Sequence, residues 1–192
     1  GRDRRHGMST GRRGLLASLA ACLGGCSPAA LLNATVPRTG YAREADLAYG
    51  ADPRQRLDVY RPDRPAPRAC TVVFFYGGSW DSGRKEDYLF VGQALAEAGH
   101  TAVIPDYRLY PEVRFPAFVA DGATAVRWAA DRGDNRPLVV MGHSAGAHIA
   151  LMLATDTPYL ARAGLDRARL AGAIGLAGPY DFLPLTSPRL VE

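Results

Sequence analysis

The chain reads as α/β, a mostly parallel, doubly wound sheet with helices on its faces, and three observations lead there. Residues Leu138 to Ala147, LVVMGHSAGA, pass from an apolar strand former through a glycine-flanked turn into a helix-compatible run of small residues. A second apolar run, Thr71 to Tyr76, ends on Gly77-Gly78. Around them, short strand-like runs alternate with helical patterns, which calls for right-handed βαβ crossovers.

The elements follow in chain order. Residues 1–26 read as upstream residues plus an export signal: Met8, the charged pair Arg12-Arg13, the apolar core Leu15 to Leu23, then Gly24-Gly25-Cys26. That core is too short to span a bilayer. Residues 27–45 are expected to be a tether and 46–192 an α/β domain. A first strand is expected near Asp46 to Tyr49, and the alternating Arg56 to Tyr60 (RLDVY) as a second, edge strand. The proline-rich RPDRPAPR after it is a loop. Thr71 to Tyr76 and Thr101 to Pro105 are buried strands, separated by a helix over Glu86 to Ala98. Phe115 to Asp131 is a further helix, with Val119, Ala123, Val126 and Ala130 on one face. Leu138 to Met141 and Leu170 to Leu176 complete the strands.

Composition narrows the function. With 192 residues and 47% hydrophobic content the chain fills one core, not two. The net charge of +4 is already reached by Arg2, Arg4, Arg5, Arg12 and Arg13 against Asp3, so everything after Arg13 is balanced. No basic stripe remains for a nucleic acid. Of the three cysteines, Cys22 and Cys26 belong to the leader, which leaves Cys70 as a small buried hydrophobe rather than half of a disulfide. His6, His100, His143 and His148 are scattered without ligand spacing, so no metal site is expected, and no cofactor motif is present.

The chemistry resides in Gly142-His143-Ser144-Ala145-Gly146. A serine at the apex of a strand–turn–helix is a nucleophile elbow. Glycines on both sides permit the sharp bend, and the Ala145 amide at the helix start can face a developing oxyanion. Gly77 and Gly78, leaving the earlier strand, are the other candidate oxyanion donors, since no Cβ keeps their amides from a substrate.

In these motifs the chain resembles the α/β-hydrolase superfamily, in the esterase branch whose oxyanion loop reads H-G-G-x-W: carboxylesterases of the hormone-sensitive-lipase and feruloyl-esterase kinds, and kynurenine formamidases. The matching segments are Gly77-Gly78-Ser79-Trp80, Asp106-Tyr107-Arg108-Leu109 with Pro111-Glu112, Phe115-Pro116-Ala117 with Asp121, and the elbow, between roughly Leu57 and Leu185. The resemblance implies an α/β-hydrolase fold, of which the chain carries the N-terminal two-thirds, and an acyl-enzyme on Ser144. The substrate it implies is a small-molecule ester, with an aryl formamide next. Tyr76 stands where the branch has histidine. Its hydroxyl either joins the oxyanion hole, as in some related hydrolases, or simply packs at the strand end. Asp106, Arg108 and Glu112 are expected to pair and shape a loop rather than catalyse.

In this superfamily the triad runs serine, acid, histidine. After Ser144 only His148 follows, on the helix that leads away behind the sheet, and it is not expected to be the base. Asp181 is expected to be loop structure. The acid and base are therefore expected beyond residue 192. The alternative to an enzyme is a non-catalytic homologue that binds ligands or partners. Leu23-Gly24-Gly25-Cys26 also resembles the bacterial lipobox, which implies lipidation of Cys26 and an envelope protein anchored to a membrane. An ordinary cleaved signal with an incidental Cys26 is the other reading, and the arginine pair faintly resembles a twin-arginine export signal.

Overall fold

The computed structural model describes residues 28–132, 135–181 and 184. The leader, Cys26 included, lies outside the described residues. Six strands form one sheet: β1 Tyr41–Ala48, β2 Arg56–Pro62, β3 Thr71–Phe75, β4 Thr101–Pro105, β5 Leu138–His143 and β6 Leu170–Leu176, in the order β1-β2-β4-β3-β5-β6. β1 and β2 are antiparallel to their neighbours, while β4, β3, β5 and β6 run parallel. The helices are α1 Pro28–Thr35, α2 Leu89–Glu97, α3 Ala117–Arg132, α4 Ala145–Thr155 and α5 Thr157–Arg162, with 3-10 turns at Lys85–Tyr88 and Arg167–Arg169.

β3 and β4 are buried along their whole length, which is why TVVFF and TAVIP read as unbroken apolar runs. The core around them joins Phe74, Phe75, Val103 and Ile104 to Val119 and Val126 of α3 and Ile149 and Leu153 of α4. From β3 the chain crosses to β4 on one side and then to β5 on the other. That reversal opens a crevice at the carboxyl ends of β3 and β5, the place where open α/β sheets bind ligands. β6 forms the far edge, with Ile174 and Leu176 exposed.

Three expectations need correction. β2 is internal, not an edge: Leu57, Asp58, Val59 and Tyr60 are all buried, and β1 lies outside it. The alternation misled because the polar member, Asp58, faces the buried Lys85 and the Arg43 guanidinium instead of water. The first strand starts at Tyr41, earlier than expected, since YAREADLA is mostly exposed and carries no apolar rhythm. Residues 27–45 therefore hold α1 and much of β1 rather than a bare tether. Asn33 fixes α1 to the domain, its side chain donating to the Glu86 carbonyl (2.8 Å) and accepting from the Phe90 amide (3.2 Å).

Candidate active site

Ser144 sits between β5 and α4 with φ 52° and ψ −119°, a conformation that L-residues rarely adopt and that stores about 1–3 kcal/mol of strain. Its neighbours show how the bend is held. A Cβ on Gly142 would lie 2.1 Å from the Gly146 carbonyl oxygen, and one on Gly146 would lie 2.1 Å from that of Phe75. Backbone packs on backbone at both positions, so only glycine fits. The Ser144 amide donates to the Leu176 carbonyl (2.8 Å), tying the elbow to β6. α4 starts at Ala145, whose amide belongs to the first helical turn and has no partner within the helix.

The opposite wall is the loop after β3. Gly77 comes so close that a Cβ there would stand 3.0 Å from the Ser144 Cβ. Gly78 has φ 129°, and Ser79 and Trp80 follow at φ 51° and 61°. The Gly78 carbonyl accepts from the Asp81 amide (3.0 Å), the Ser82 amide (3.0 Å) and the Ser82 hydroxyl (2.9 Å), which curls the loop on itself. Burial raises the Tyr88 phenol, and a backbone hydrogen bond from Gly77 partly offsets this. Trp80 stacks on Phe118 (5.8 Å between ring centroids) and meets His148 edge-on (5.3 Å).

Tyr76 does not face the crevice. Its hydroxyl has one proton and donates it to Asp106 Oδ1 (2.6 Å), while its ring is stacked between Tyr107 and Tyr88 at 4.8 and 5.4 Å. The side chain is fully buried, and burial, then the Asp106 charge, pushes the phenol far up. Of the two readings left open for Tyr76, this geometry fits the one in which it packs at the strand end: the proton that an oxyanion-hole role needs is committed to Asp106.

Asp106 and Arg108 are not a pair. Arg108 grips Asp121 of α3 through Nε (2.9 Å), Nη2 (2.7 Å) and its backbone amide (2.9 Å). Asp106 serves Tyr76 and the Lys85 amide (2.8 Å) instead, and burial raises its carboxyl pKa despite both bonds. Both residues lie beyond β4, where strand alternation no longer sets side-chain direction, and each takes the partner packed beside it: the Lys85 amide and Tyr76 for Asp106, α3 for Arg108. Glu112 is exposed. The motif shapes a loop as expected, by other partners.

His148, one turn into α4, packs against Trp80 and Phe115, and burial lowers its pKa. His143 is exposed beside Gly77. Asp181 is exposed in the segment after β6. Among the described residues no group of three or more His, Cys, Asp or Glu is placed to hold a metal ion.

Two supporting residues escaped the sequence reading. Lys85 is buried, its ammonium 2.7 Å from Asp46, 3.1 Å from Asp58 and 2.5 Å from Glu86. Burial opposes that charge, but the three carboxylates outweigh it and the pKa ends up raised. Arg54, in the turn between β1 and β2, reaches across to the loop after β3. Neither lies in a motif. The only hint was an aspartate inside the apolar alternation of RLDVY, which demands a buried cation once β2 is internal.

A doubly wound sheet with a serine elbow at its switch point, faced by a glycine loop from the neighbouring strand, defines an α/β-hydrolase. The chain belongs to the BD-FAE family, whose profile matches residues 57–189. It is 33% identical over 161 residues to esterase LipC of Mycobacterium tuberculosis, a match covering 77% of this chain and 40% of LipC. To the kynurenine formamidase of Danio rerio it is 31% identical over 150 residues, covering 77% of this chain and 50% of that protein. Esterase B of Lactobacillus rhamnosis shares the fold, with a TM-score of 0.68 at 22% identity over 95% of this chain and 63% of that one. The chain thus spans between 40% and 50% of the length of these two curated relatives.

Proposed function

We propose that the protein is a serine hydrolase of small carboxylic esters. The observation that carries this reading is the strained Ser144 at the start of α4, packed against Gly77 across the switch-point crevice. Ser144 Oγ adds to the ester carbonyl carbon while its proton passes to a general base. Gly78 and Ala145 amides hold the resulting oxyanion. Gly77, which lies against Ser144 because it lacks a side chain, is the third candidate donor. Collapse breaks the C–O bond, the alcohol leaves with the proton, and water then releases the acid from Ser144. His148 is not that base, because its ring is committed to Trp80 and Phe115.

A fluorophosphonate probe tests this in the full-length protein. Labelling confined to Ser144 and lost in Ser144→Ala supports the hydrolase. An unlabelled wild type would assign the chain to non-catalytic homologues that bind ligands or partners. The likeness to a kynurenine formamidase favours aryl formamides as the second substrate class, separated by comparing kcat/KM on aryl acetates and N-formyl anilines.

The leader supports a second reading, an exported protein anchored to a membrane through a lipid on Cys26. Arg12-Arg13, the apolar Leu15 to Leu23 and the small residues before Cys26 suit a lipoprotein signal. Partitioning into a detergent phase should be lost in Cys26→Ala; partitioning that survives the change removes the anchor.

A further inference from the structure

The turn that joins β1 to β2 is far from the nucleophile in sequence, yet it ends on the loop that faces it. Asp52 organises the turn: its carbonyl accepts from the Gln55 amide (2.9 Å) and its side chain from the Arg54 amide (2.8 Å). Gln55 extends outward to Asp121 (2.8 Å) and Tyr49 to the Asp106 carbonyl (2.5 Å), so the turn is bolted to the carboxyl end of β4. From this base the Arg54 guanidinium makes three contacts. Nε donates to the Tyr107 carbonyl (2.7 Å), and Nη2 donates to the Tyr76 hydroxyl (3.1 Å) and the Gly83 carbonyl (2.5 Å).

Tyr76 and Gly83 are the two ends of the loop that carries Gly77 and Gly78. At the entrance, Tyr76 is held three more ways: its hydroxyl by Asp106, its carbonyl by the Tyr107 hydroxyl (2.8 Å), and its ring by stacking. At the exit, Gly83 lies against the entrance itself. A Cβ there would be 2.8 Å from the Gly77 carbonyl oxygen and 2.9 Å from the Tyr76 ring. The loop is therefore a closed noose, and one planar cation holds both ends of it to β4.

We propose that Arg54 is a positioning residue that clasps the ends of the 77–83 loop and so fixes the Gly78 amide opposite Ser144 and the Ala145 amide. Arginine suits the task because its fork delivers donors in fixed directions, which a lysine ammonium on the same stem does not. Misplacing an oxyanion donor by about an ångström costs roughly a hundredfold in rate. The loss falls on kcat, since the interaction matters only when the oxyanion forms. The proposal rests on the reading of Ser144 as a nucleophile, and the test separates the two.

In the full chain, Arg54→Lys, Arg54→Ala and wild type are compared per fluorophosphonate-titrated site. The expected result is a fall in kcat of about ten- to a hundredfold in Arg54→Ala with KM nearly unchanged, and a smaller fall in Arg54→Lys. Added methylguanidine should restore part of the Arg54→Ala rate and leave the wild type alone. Hydrogen exchange at residues 77–83 should quicken in both variants while β3 and β5 keep their protection. Wild-type kcat per site in Arg54→Ala, or unchanged exchange at 77–83, overturns the clasp. If the wild type itself takes no probe, the hydrolase reading falls and the exchange measurement alone decides whether Arg54 holds the loop. Faster exchange spread evenly over the whole chain assigns Arg54 to general stability and also overturns the proposal.

Discussion

The crevice between β3 and β5 and the outer β1–β2 edge solve opposite problems with opposite materials. At the crevice the parts are backbone: Gly142, Gly146 and Gly77 are defined by the side chains they lack, and the candidate oxyanion donors are amides. At the outer edge the parts are charges. Asp58 is fully buried on β2 and accepts from Arg43 Nη2 (2.6 Å), from the Asp46 amide (3.0 Å) and from the Lys85 ammonium (3.1 Å). The crevice needs close approach and tolerates no bulk. The edge needs a rigid frame and uses ion pairs that bring β1, β2 and the Lys85–Tyr88 turn together. Backbone sites should therefore fail sterically, whereas charged sites should fail electrostatically and be rescued by partners.

The largest effect belongs to Gly146→Ala. The added methyl would meet the carbonyl oxygens of Phe75 and Tyr76 at 2.1 and 2.5 Å, and the end of β3 cannot yield without opening the sheet. A loss of more than about 4 kcal/mol is expected, read as loss of cooperative unfolding or of soluble protein. A variant that melts like wild type would mean that the elbow adapts and that steric exclusion is not what selects glycine there.

Asp58→Ala comes next. It leaves Lys85 buried beside fewer carboxylates and removes the carboxylate that Arg43 pairs with, at a cost of about 3 kcal/mol by denaturant unfolding. The sharper measurement adds Lys85→Met. If the edge is electrostatic, the double variant recovers part of that loss, because the stranded cation is gone. Strictly additive losses would make Asp58 and Lys85 independent packing residues and would erase the contrast with the crevice.

The contrast also explains what was legible in the sequence. Motifs built on glycine and small residues declare themselves, because few residue types satisfy a close approach. Gly142 through Gly146 and the Gly77-Gly78 turn were read with their elements, and β4 and β6 matched to the residue. A charged frame hides, because Lys85, Arg54 and Asp58 look like ordinary surface residues until the topology encloses them. β2 could not be recognised as internal while β1, with its exposed YAREADLA, looked like part of a tether. The role of Tyr76 stayed open for the same reason: its position in a motif allowed two readings, and the buried Asp106 beside it decides where the proton goes.

A smaller effect tests whether the elbow trades stability for chemistry. Ser144→Gly removes the β-carbon that makes φ 52° costly, at the expense of a more flexible unfolded chain. A net gain of about 1 kcal/mol in unfolding free energy is expected, together with complete loss of fluorophosphonate labelling. Ser144→Ala, which keeps the β-carbon, should lose the label without that gain. Equal stabilities for the two variants would show that the bend carries no strain and that the crevice holds Ser144 without cost.

The smallest effect is a pH dependence at a half-buried imidazole beside the crevice. His148 lies against Trp80 and Phe115, and burial lowers its pKa from the ordinary 6.5. In the window below that value the unfolded chain binds a proton that the folded chain refuses. Stability is thus present above the unfolded pKa and is lost as pH falls through it toward the lowered folded value. Between pH about 7.5 and about 5.5, the denaturant midpoint of the wild type should fall further than that of His148→Phe, whose ring keeps the aromatic contacts but takes no proton. Identical falls would place the acid sensitivity in other groups. A larger fall in His148→Phe would mean that the folded state welcomes the imidazolium, against the desolvation that the packing on Trp80 imposes. Either result bears on the comparison, because a charge at His148 would bring to the crevice the electrostatic logic that otherwise belongs to the outer edge.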